Sequence, residues 1–315
     1  MILLFGIPSE PSLRIVADAL EELGTAPYRL VNQRDVHALR MCVDITGRGV
    51  EGELEGPGWS VDLTEVTGVY LRLMDERELP EIRALAPDDP ARERSRALHD
   101  LIGQWGDVTP ARVINRYAAM GSNFSKPYQG QLITEHGFAT PETLITNDPE
   151  QVRAFAAEHG PLVYKSISGA RSIVTTVDLE DAERLERIRW CPVQFQGYVG
   201  GPNVRVHTVG DEIHATHIAT DAVDYRYASR QVGEAAHLTP YALPEEIAAR
   251  CRALARALGL DVAGLDLKLP PDGRVVCLEV NPSPVFSYYQ AHTGQPIAEA
   301  VARLLAEPVA QPLAA

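Results

Sequence analysis

Twenty-three residues near the C-terminus, VAGLDLKLPPDGRVVCLEVNPSP (Val262–Pro284), constrain this chain more than any other stretch. Two strand-like runs flank Pro271-Asp272-Gly273, and Asp-Gly is a favoured two-residue hairpin turn. With Asp272 and Gly273 as the turn, Pro271 pairs with Arg274, and counting outward sets Asp266 opposite Glu279. Alternation assigns Leu265, Leu267, Leu269, Val276, Leu278 and Val280 to one face. All six are aliphatic, so that face is predicted to be core. The other face carries Asp266, Lys268, Cys277, Glu279 and Asn281. Two carboxylates directly opposed across a hairpin repel each other, so something must compensate. A hard divalent cation does so with carboxylate and amide oxygens, and Asn281 adds such an oxygen on the same face. A solvated face with Lys268 as counter-charge is the competing reading. Three oxygen ligands backed by a wholly apolar face favour Mg²⁺, which commonly takes one or two carboxylates plus substrate phosphates.

A second hairpin is predicted around Gly210-Asp211, between Asn203–Val209 and Glu212–Ala219. Val209 then pairs with Glu212 and Arg205 with Thr216. Arg205, His207, His214 and Thr216 share one face; Val204, Val206, Ile213 and Ala215 share the other. If the two hairpins are neighbours in one sheet, Arg205 faces the same cleft as Asp266. A one-residue slip would reverse every such statement.

The rest of the chain reads as α/β (α+β). The first hundred residues alternate strand and helix patterns: Met1–Gly6, then a helix over about Ser12–Leu23, then a strand near Tyr28–Val31. A hairpin is expected over Val43–Ile45 and Gly49–Leu54, with further strands at Trp59–Leu63 and Val66–Leu71. A polar helix follows over about Asp89–Trp105. From Val113 the order is strand, helix (Phe124–His136), strand (Glu142–Thr146), helix (Asp148–His159), strand (Leu162–Ser166), loop, strand (Ile173–Val177) and helix (about Leu179–Arg189). Asn147-Asp148-Pro149 places a cap before Pro at N1. The segment from Val193 is strand-rich, with helices at Pro244–Leu258 and Pro296–Leu305. Expected divisions are 1–110, 111–192, 193–307 and a tail, 308–315.

Composition narrows the partners. The 315 residues carry 29 basic against 43 acidic side chains, a formal net charge of −14. That argues against nucleic acid held by a broad basic surface. A polyanion such as a nucleotide would need the few cations gathered locally. No apolar run approaches the roughly 20 residues that span a membrane, and Met1–Pro8 reads as a strand rather than a signal peptide. Cys42, Cys191, Cys251 and Cys277 share no CxxC spacing, so neither a zinc site nor a disulfide framework is indicated. A reducing, cytoplasmic setting fits, and covalent catalysis through cysteine is not indicated.

Few of the basic residues are lysines. Lys126 sits in NFSKPYQGQLITEHGFATPETLIT; Lys165 ends the strand PLVYK, before Ser166-Ile167-Ser168-Gly169-Ala170-Arg171-Ser172. A small-residue loop between strands can donate N–H groups to phosphate, but the spacing is neither GxxxxGK[ST] nor GxGxxG. The order of features is more specific. A helix lysine precedes GFATPETLIT; then come a strand lysine with its loop, PVQFQGYV, an Arg-bearing hairpin, and LDLKL…LEVNPSP. From about Val113 to Leu305 this resembles the ATP-grasp family, in particular its RimK-like branch and the ligases that modify ribosomal peptides (graspetide, or microviridin-type, ligases). Asp224-Tyr225-Arg226 resembles the Asp-Trp-Arg element of the peptide-modifying branch. VTGVYLR (Val66–Arg72) resembles the strand that ends its N-terminal domain. Gly197 departs from the pattern, standing where many members have an acidic residue, and NPSPVFSYYQ is more generally RimK-like.

The resemblance implies an ATP-grasp fold: an N-terminal α/β domain, a small central lid domain and a C-terminal antiparallel-sheet domain. It implies ATP and Mg²⁺, with Lys126 and Lys165 on the nucleotide phosphates and the loop Ser168–Ser172, including Ser168 and Gly169, as a lid. Gln196, Gly197, Tyr198 and Val199 would be the adenine hinge. Arg205, with Lys165, would stabilise the transferring phosphoryl group, and Asp266, Glu279 and Asn281 would hold the metal. Arg72, Arg226, Arg230 and Ser283 are candidate substrate contacts, with ordinary loop charges as the alternative for Arg226 and Arg230. His207 and His214 are read either as proton-transfer aids or as buried structural histidines. Phe286, Tyr288 and Tyr289 are read as an acceptor pocket, with core packing the default for at least two. The implied activity joins a carboxylate, activated as an acylphosphate, to an amine or hydroxyl, on a peptide or a small carboxylate such as an amino acid. A non-catalytic nucleotide-binding regulator or scaffold is the alternative of another class. Relatives in that family are commonly dimers or tetramers, so the resemblance leaves a homo-oligomer open; charge and the lack of a long apolar run lead us to expect no nucleic-acid or membrane partner.

Overall fold

The structure, a computed structural model, describes residues 1–47, 49–165, 174–223 and 225–308. The first segment contains β1 (Ile2–Gly6), α1 (Pro11–Leu23), β2 (Tyr28–Asn32), β3 (Arg40–Thr46), β4 (Gly49–Gly56), β5 (Trp59–Asp62), β6 (Gly68–Arg72), α2 (Pro80–Arg83), α3 (Pro90–Val108) and β7 (Arg112–Ile114). Strands β2-β1-β6-β7 form a parallel sheet. Every residue of β1 is buried, as a parallel strand covered on both faces requires. Helix α1 starts because Pro11 stands at N1 and the Glu10 carboxylate accepts the Leu13 amide, 2.6 Å away. Gly24, with a φ of 61°, ends it in the left-handed conformation. The expected hairpin is part of a three-stranded antiparallel meander, β3-β4-β5.

The middle of the chain supplies α4 (Tyr117–Met120), α5 (Lys126–Glu135), β8 (Thr143–Thr146), α6 (Pro149–His159), β9 (Leu162–Lys165), β10 (Thr175–Thr176), α7 (Ala182–Glu186) and β11 (Val193–Gly197). Its antiparallel sheet has the order β10-β9-β11-β8. The helix expected to reach Arg189 stops at Glu186 and continues as a 3₁₀ turn, Arg187–Trp190. Two strands pair across the expected divisions: β7 joins the N-terminal sheet and β11 the central one.

The last segment contains β12 (Asn203–Val209), β13 (Glu212–Ala219), α8 (Ala228–Gln231), β14 (His237–Pro240), α9 (Glu245–Ala257), β15 (Val262–Lys268), β16 (Val276–Asn281), α10 (Ser287–Thr293) and α11 (Ile297–Ala306). Its antiparallel sheet runs β14-β13-β12-β15-β16. One face packs Val204, Val206, Leu265, Leu267 and Val280 against α5 and α9. The other is covered along part of its length by α10 and α11, which also pack on α1 and the N-terminal sheet. Among the described residues no helix is long and apolar enough to cross a membrane.

The expected pairing of Asp266 with Glu279 is present, but the alternation beyond it is not. A bulge follows Asp266, so that Leu267 pairs with Cys277 and Lys268 with Val276. The extra residue, Leu278, shifts the pleat by one. Cys277 therefore joins the core assigned to Leu278, and Leu278 lines the cleft assigned to Cys277. Val276 likewise shares Lys268's face. A period-two reading has no term for an inserted residue.

Candidate active site

Sheet order brings the charged residues into one row. Strand β12 pairs with β13 on one side and β15 on the other, so Arg205 lies between Thr216 and Asp266. Asp266 in turn lies opposite Glu279. The register predicted for the Arg205 hairpin holds throughout, that of the other holds at Asp266–Glu279 but not beyond the bulge, and the two hairpins are neighbours.

The repulsion between the two carboxylates is relieved from three directions. Arg205 donates from Nη1 to Asp266 Oδ2 at 2.7 Å, and its side chain is almost wholly buried. Lys126 Nζ lies 3.4 Å and Lys165 Nζ 3.7 Å from Glu279 Oε2. Lys268, the counter-charge of the bland reading, instead donates to the Gly201 carbonyl at 3.2 Å. Burial lowers the Lys268 pKa. Burial also opposes the Arg205 charge, but Asp266 and the hydroxyls of Tyr289 and Tyr225 outweigh it and drive its pKa up.

Arg205 is held on every side. Its Nε is 3.4 Å from His207 Nε2. Arginine only donates, so His207 accepts there and carries its proton on Nδ1. His207 is fully buried, its Nδ1 has no hydrogen-bond partner among the described residues, and burial followed by the Arg205 charge pushes its pKa well below the usual range. It is a neutral prop for Arg205. His214, beside Glu212, is also pushed down, mainly by burial. Gly264, paired with His207 and Asn281, has no Cβ because the Arg205 guanidinium lies where one would project. The Tyr289 ring sits under that guanidinium, 5.7 Å from centroid to Cζ. Phe286 and Tyr289 are buried, whereas Tyr288 is exposed.

The lysines arrive from the other elements. Lys165 ends β9, and its cross-strand partner is Gln194. Lys126 opens α5 and donates to Asn123 at 2.9 Å. One turn later Gln129 ties α5 to β16, donating to the Val280 carbonyl (2.9 Å) and accepting from its amide (3.0 Å). That clamp sets Lys126 beside Glu279.

Between the central and C-terminal sheets lies a cleft with Lys165, Lys268, Asp266 and Glu279 on its polar walls. Val163, Ile218 and Leu278 line an apolar part, and Gln196, Gly197, Tyr198 and Val199 form one edge. Lys126 and Lys165 line its continuation beneath α5. The chain has three lysines, and all three line this space. Within the edge, the Gly197 amide already donates to Glu142 O and the Tyr198 amide to Pro161 O.

The N-terminal sheet reaches the site through Arg72. Its Nη2 donates to Glu10 Oε1 at 2.9 Å and its Nη1 to Ser283 Oγ at 2.7 Å. Asn281 Oδ1 accepts the Ser283 amide at 2.9 Å. Arg72 thus braces the turn that follows Asn281. Ser168 and Gly169, with the rest of the proposed lid Ser168–Ser172, lie outside the described residues, as does Asp224. The side chains of Arg226 and Arg230 are outside them too.

Two carboxylates and a carboxamide on adjacent strands are hard oxygen donors, suited to Mg²⁺. Among the described residues no group of three or more His, Cys, Asp or Glu is arranged to hold a metal. A cation at Asp266 and Glu279 would therefore take further ligands from phosphate and water, the usual Mg²⁺ arrangement. Gly264, Gln129 and Tyr225 were not singled out from sequence for this site. The Gly in VAGLD was the available signal for close backbone approach; a lone glutamine on a helix carried none.

Residues 125–305 match the family model for the RimK-like ATP-grasp domain. A probable alpha-L-glutamate ligase of Photobacterium profundum is 29% identical over 199 residues, 59% of this chain and 64% of that relative. The match thus spans less than two thirds of the ligase. Macrocyclase MdnC of Microcystis aeruginosa, bound with precursor peptide MdnA, superposes with a TM-score of 0.79 at 23% identity, covering 97% of this chain and 99% of MdnC. That likeness speaks for the fold. The ATP-grasp ligase PsnB, complexed with a phosphomimetic variant of its minimal precursor, Mg and ADP, gives a TM-score of 0.74 at 28% identity, covering 96% of this chain and 97% of PsnB.

Proposed function

The chain belongs to the RimK-like ATP-grasp family, and on that premise we propose that it is an ATP- and Mg²⁺-dependent, ADP-forming ligase that joins a carboxylate to an amine or hydroxyl. One observation carries the reading: all three lysines of a chain with net charge −14 line a single cleft, two of them on Glu279. A diffuse field of that sign repels a nucleotide, so local cations must do the binding.

In the proposed reaction the substrate carboxylate attacks the γ-phosphorus, ADP departs, and the acylphosphate is captured by the nucleophile with release of phosphate. Lys126 and Lys165, both oriented by Glu279, would bind phosphate oxygens. Arg205 would place a fixed charge beside the transferring phosphoryl group, where preorganised charge lowers the barrier. Asp266, Glu279 and Asn281 would hold Mg²⁺, which when bound neutralises phosphate charge. The apolar wall at Val163, Ile218 and Leu278 suits the adenine ring. With the Gly197 and Tyr198 amides already used, Val199 is left as the candidate amide donor of the hinge. Arg72 and Ser283 would position the turn after Asn281 rather than clamp substrate.

The likeness to PsnB over 96% of the chain favours a peptide carboxylate as substrate. The match to the glutamate ligase, over 59% of the chain, supports a second reading, in which a free amino acid is joined. ADP release and product mass separate them, using Asp- and Glu-bearing peptides against free L-glutamate. Peptide-dependent ADP with one water lost per ADP is the expected result. Glutamate addition would establish the second reading. Tight ATP binding without turnover on either substrate would overturn both and leave a scaffold.

A further inference from the structure

Asp266 has a second anchor besides Arg205. Tyr225 Oη donates to Asp266 Oδ1 at 3.0 Å and lies 2.8 Å from Tyr289 Oη. An ionised carboxylate only accepts, and a phenol has one proton to give. Tyr225 spends its proton on Asp266, so in the contact between the two phenols Tyr289 is the donor. Polarity therefore runs one way, from Tyr289 to Tyr225 to Asp266.

Among the described residues each Asp266 oxygen thus meets one donor: Arg205 on Oδ2 and Tyr225 on Oδ1. A carboxylate has about four lone-pair sites, so one per oxygen is left. Two donors from different elements fix the carboxylate plane, which one alone would let turn. Tyr289 is itself packed against His207, 4.7 Å between ring centroids in a T-shaped contact. The phenol pair is therefore backed by the same rigid cluster that holds Arg205.

We propose that Tyr225, backed by Tyr289, is a positioning residue that fixes the Asp266 carboxylate plane so that its remaining lone pairs face the divalent cation of the nucleotide complex. This rests on the reading of Asp266 as a cation ligand given above.

Mn²⁺ binding followed by electron paramagnetic resonance tests this with the full chain and ATP, alongside ATP affinity in the presence of EDTA. Tyr225→Phe should weaken Mn²⁺ binding to the protein–ATP complex by about tenfold, the low end for losing an outer hydrogen bond to a metal ligand. Tyr289→Phe should weaken it in the same direction by less, and ATP affinity in EDTA should stay at the wild-type value for both. Wild-type Mn²⁺ binding in Tyr225→Phe would overturn the positioning role alone. So would a parallel loss of metal-free ATP affinity, which marks a packing role. Absence of Mn²⁺–ATP binding by the wild-type protein would overturn the functional reading and, with it, this one.

Discussion

Replacing Gly264 by alanine puts a methyl group where the guanidinium of Arg205 lies. The flexible arginine must move, and its 2.7 Å bond to Asp266 is the contact it gives up. Loss of one preorganised charge at a phosphoryl-transfer site costs about 100-fold in rate. Gly264→Ala should therefore fold normally and release ADP about 100-fold more slowly in single-turnover measurements; a wild-type rate would remove Arg205 from the chemistry. The two histidines of the same face make a different prediction. Burial holds the pKa of both His207 and His214 below the ordinary 6.5. Each binds fewer protons in the native than in the unfolded chain, so its stability contribution is intact above 6.5 and declines as pH falls below it. The slope is at most ~1.4 kcal/mol per pH unit for each. Urea midpoints from about pH 7.5 down to about pH 5.5 should show the decline, and His214→Gln should flatten it by up to one proton's share. An unchanged slope would count against a neutral His214.

At the scale of elements, the site depends on how α5 meets β16. Gln129 satisfies both the amide and the carbonyl of Val280 in a buried setting. Gln129→Ala leaves both groups without their partner, at roughly 1–3 kcal/mol for each, and frees the helix that carries Lys126. Urea unfolding should register the stability loss, and calorimetry should show weakened ATP binding. Full retention of ATP affinity would separate Lys126 from the nucleotide. Much of this level was legible in the residues. Gly210-Asp211 specifies its turn, so the Arg205–Thr216 pairing followed by counting. The expected Pro271–Arg274 pair did not form: the strands stop at Lys268 and Val276, one register out from a two-residue Asp272-Gly273 turn, and the bulge restores the Asp266–Glu279 pair. The bulge at Leu278 was not legible, because alternation alone cannot register an inserted residue. Nor was the Arg205–Asp266 contact itself, since β12 and β15 are adjacent only through the non-local order of the sheet. Gln129 escaped for the same reason: its partner is a backbone group 151 residues away. Helix α10 was missed because NPSPVFSYYQ begins with two prolines, which mark a turn, while the helix starts only at Ser287.

At the scale of the whole molecule, the last helix completes the first sheet. Helix α11 buries Ile297, Val301 and Leu305 in one cluster with Ile2 and Leu4 of β1 and Leu13 and Val16 of α1. The N-terminal sheet and the C-terminal lobe therefore share a core, and Arg72 adds a polar tie from β6 to the turn after Asn281. Against that frame the central sheet brings Lys165 to Glu279 across the cleft. Against the net charge of −14, the cleft gathers all three lysines beside Asp266 and Glu279. The most direct test of this account is ADP release by the purified protein with Mg²⁺, ATP and a carboxylate-bearing peptide, measured beside Asp266→Ala and Glu279→Ala. Substrate-dependent ADP from the wild type and none above background from either variant is the predicted result. Full activity in both variants would contradict it.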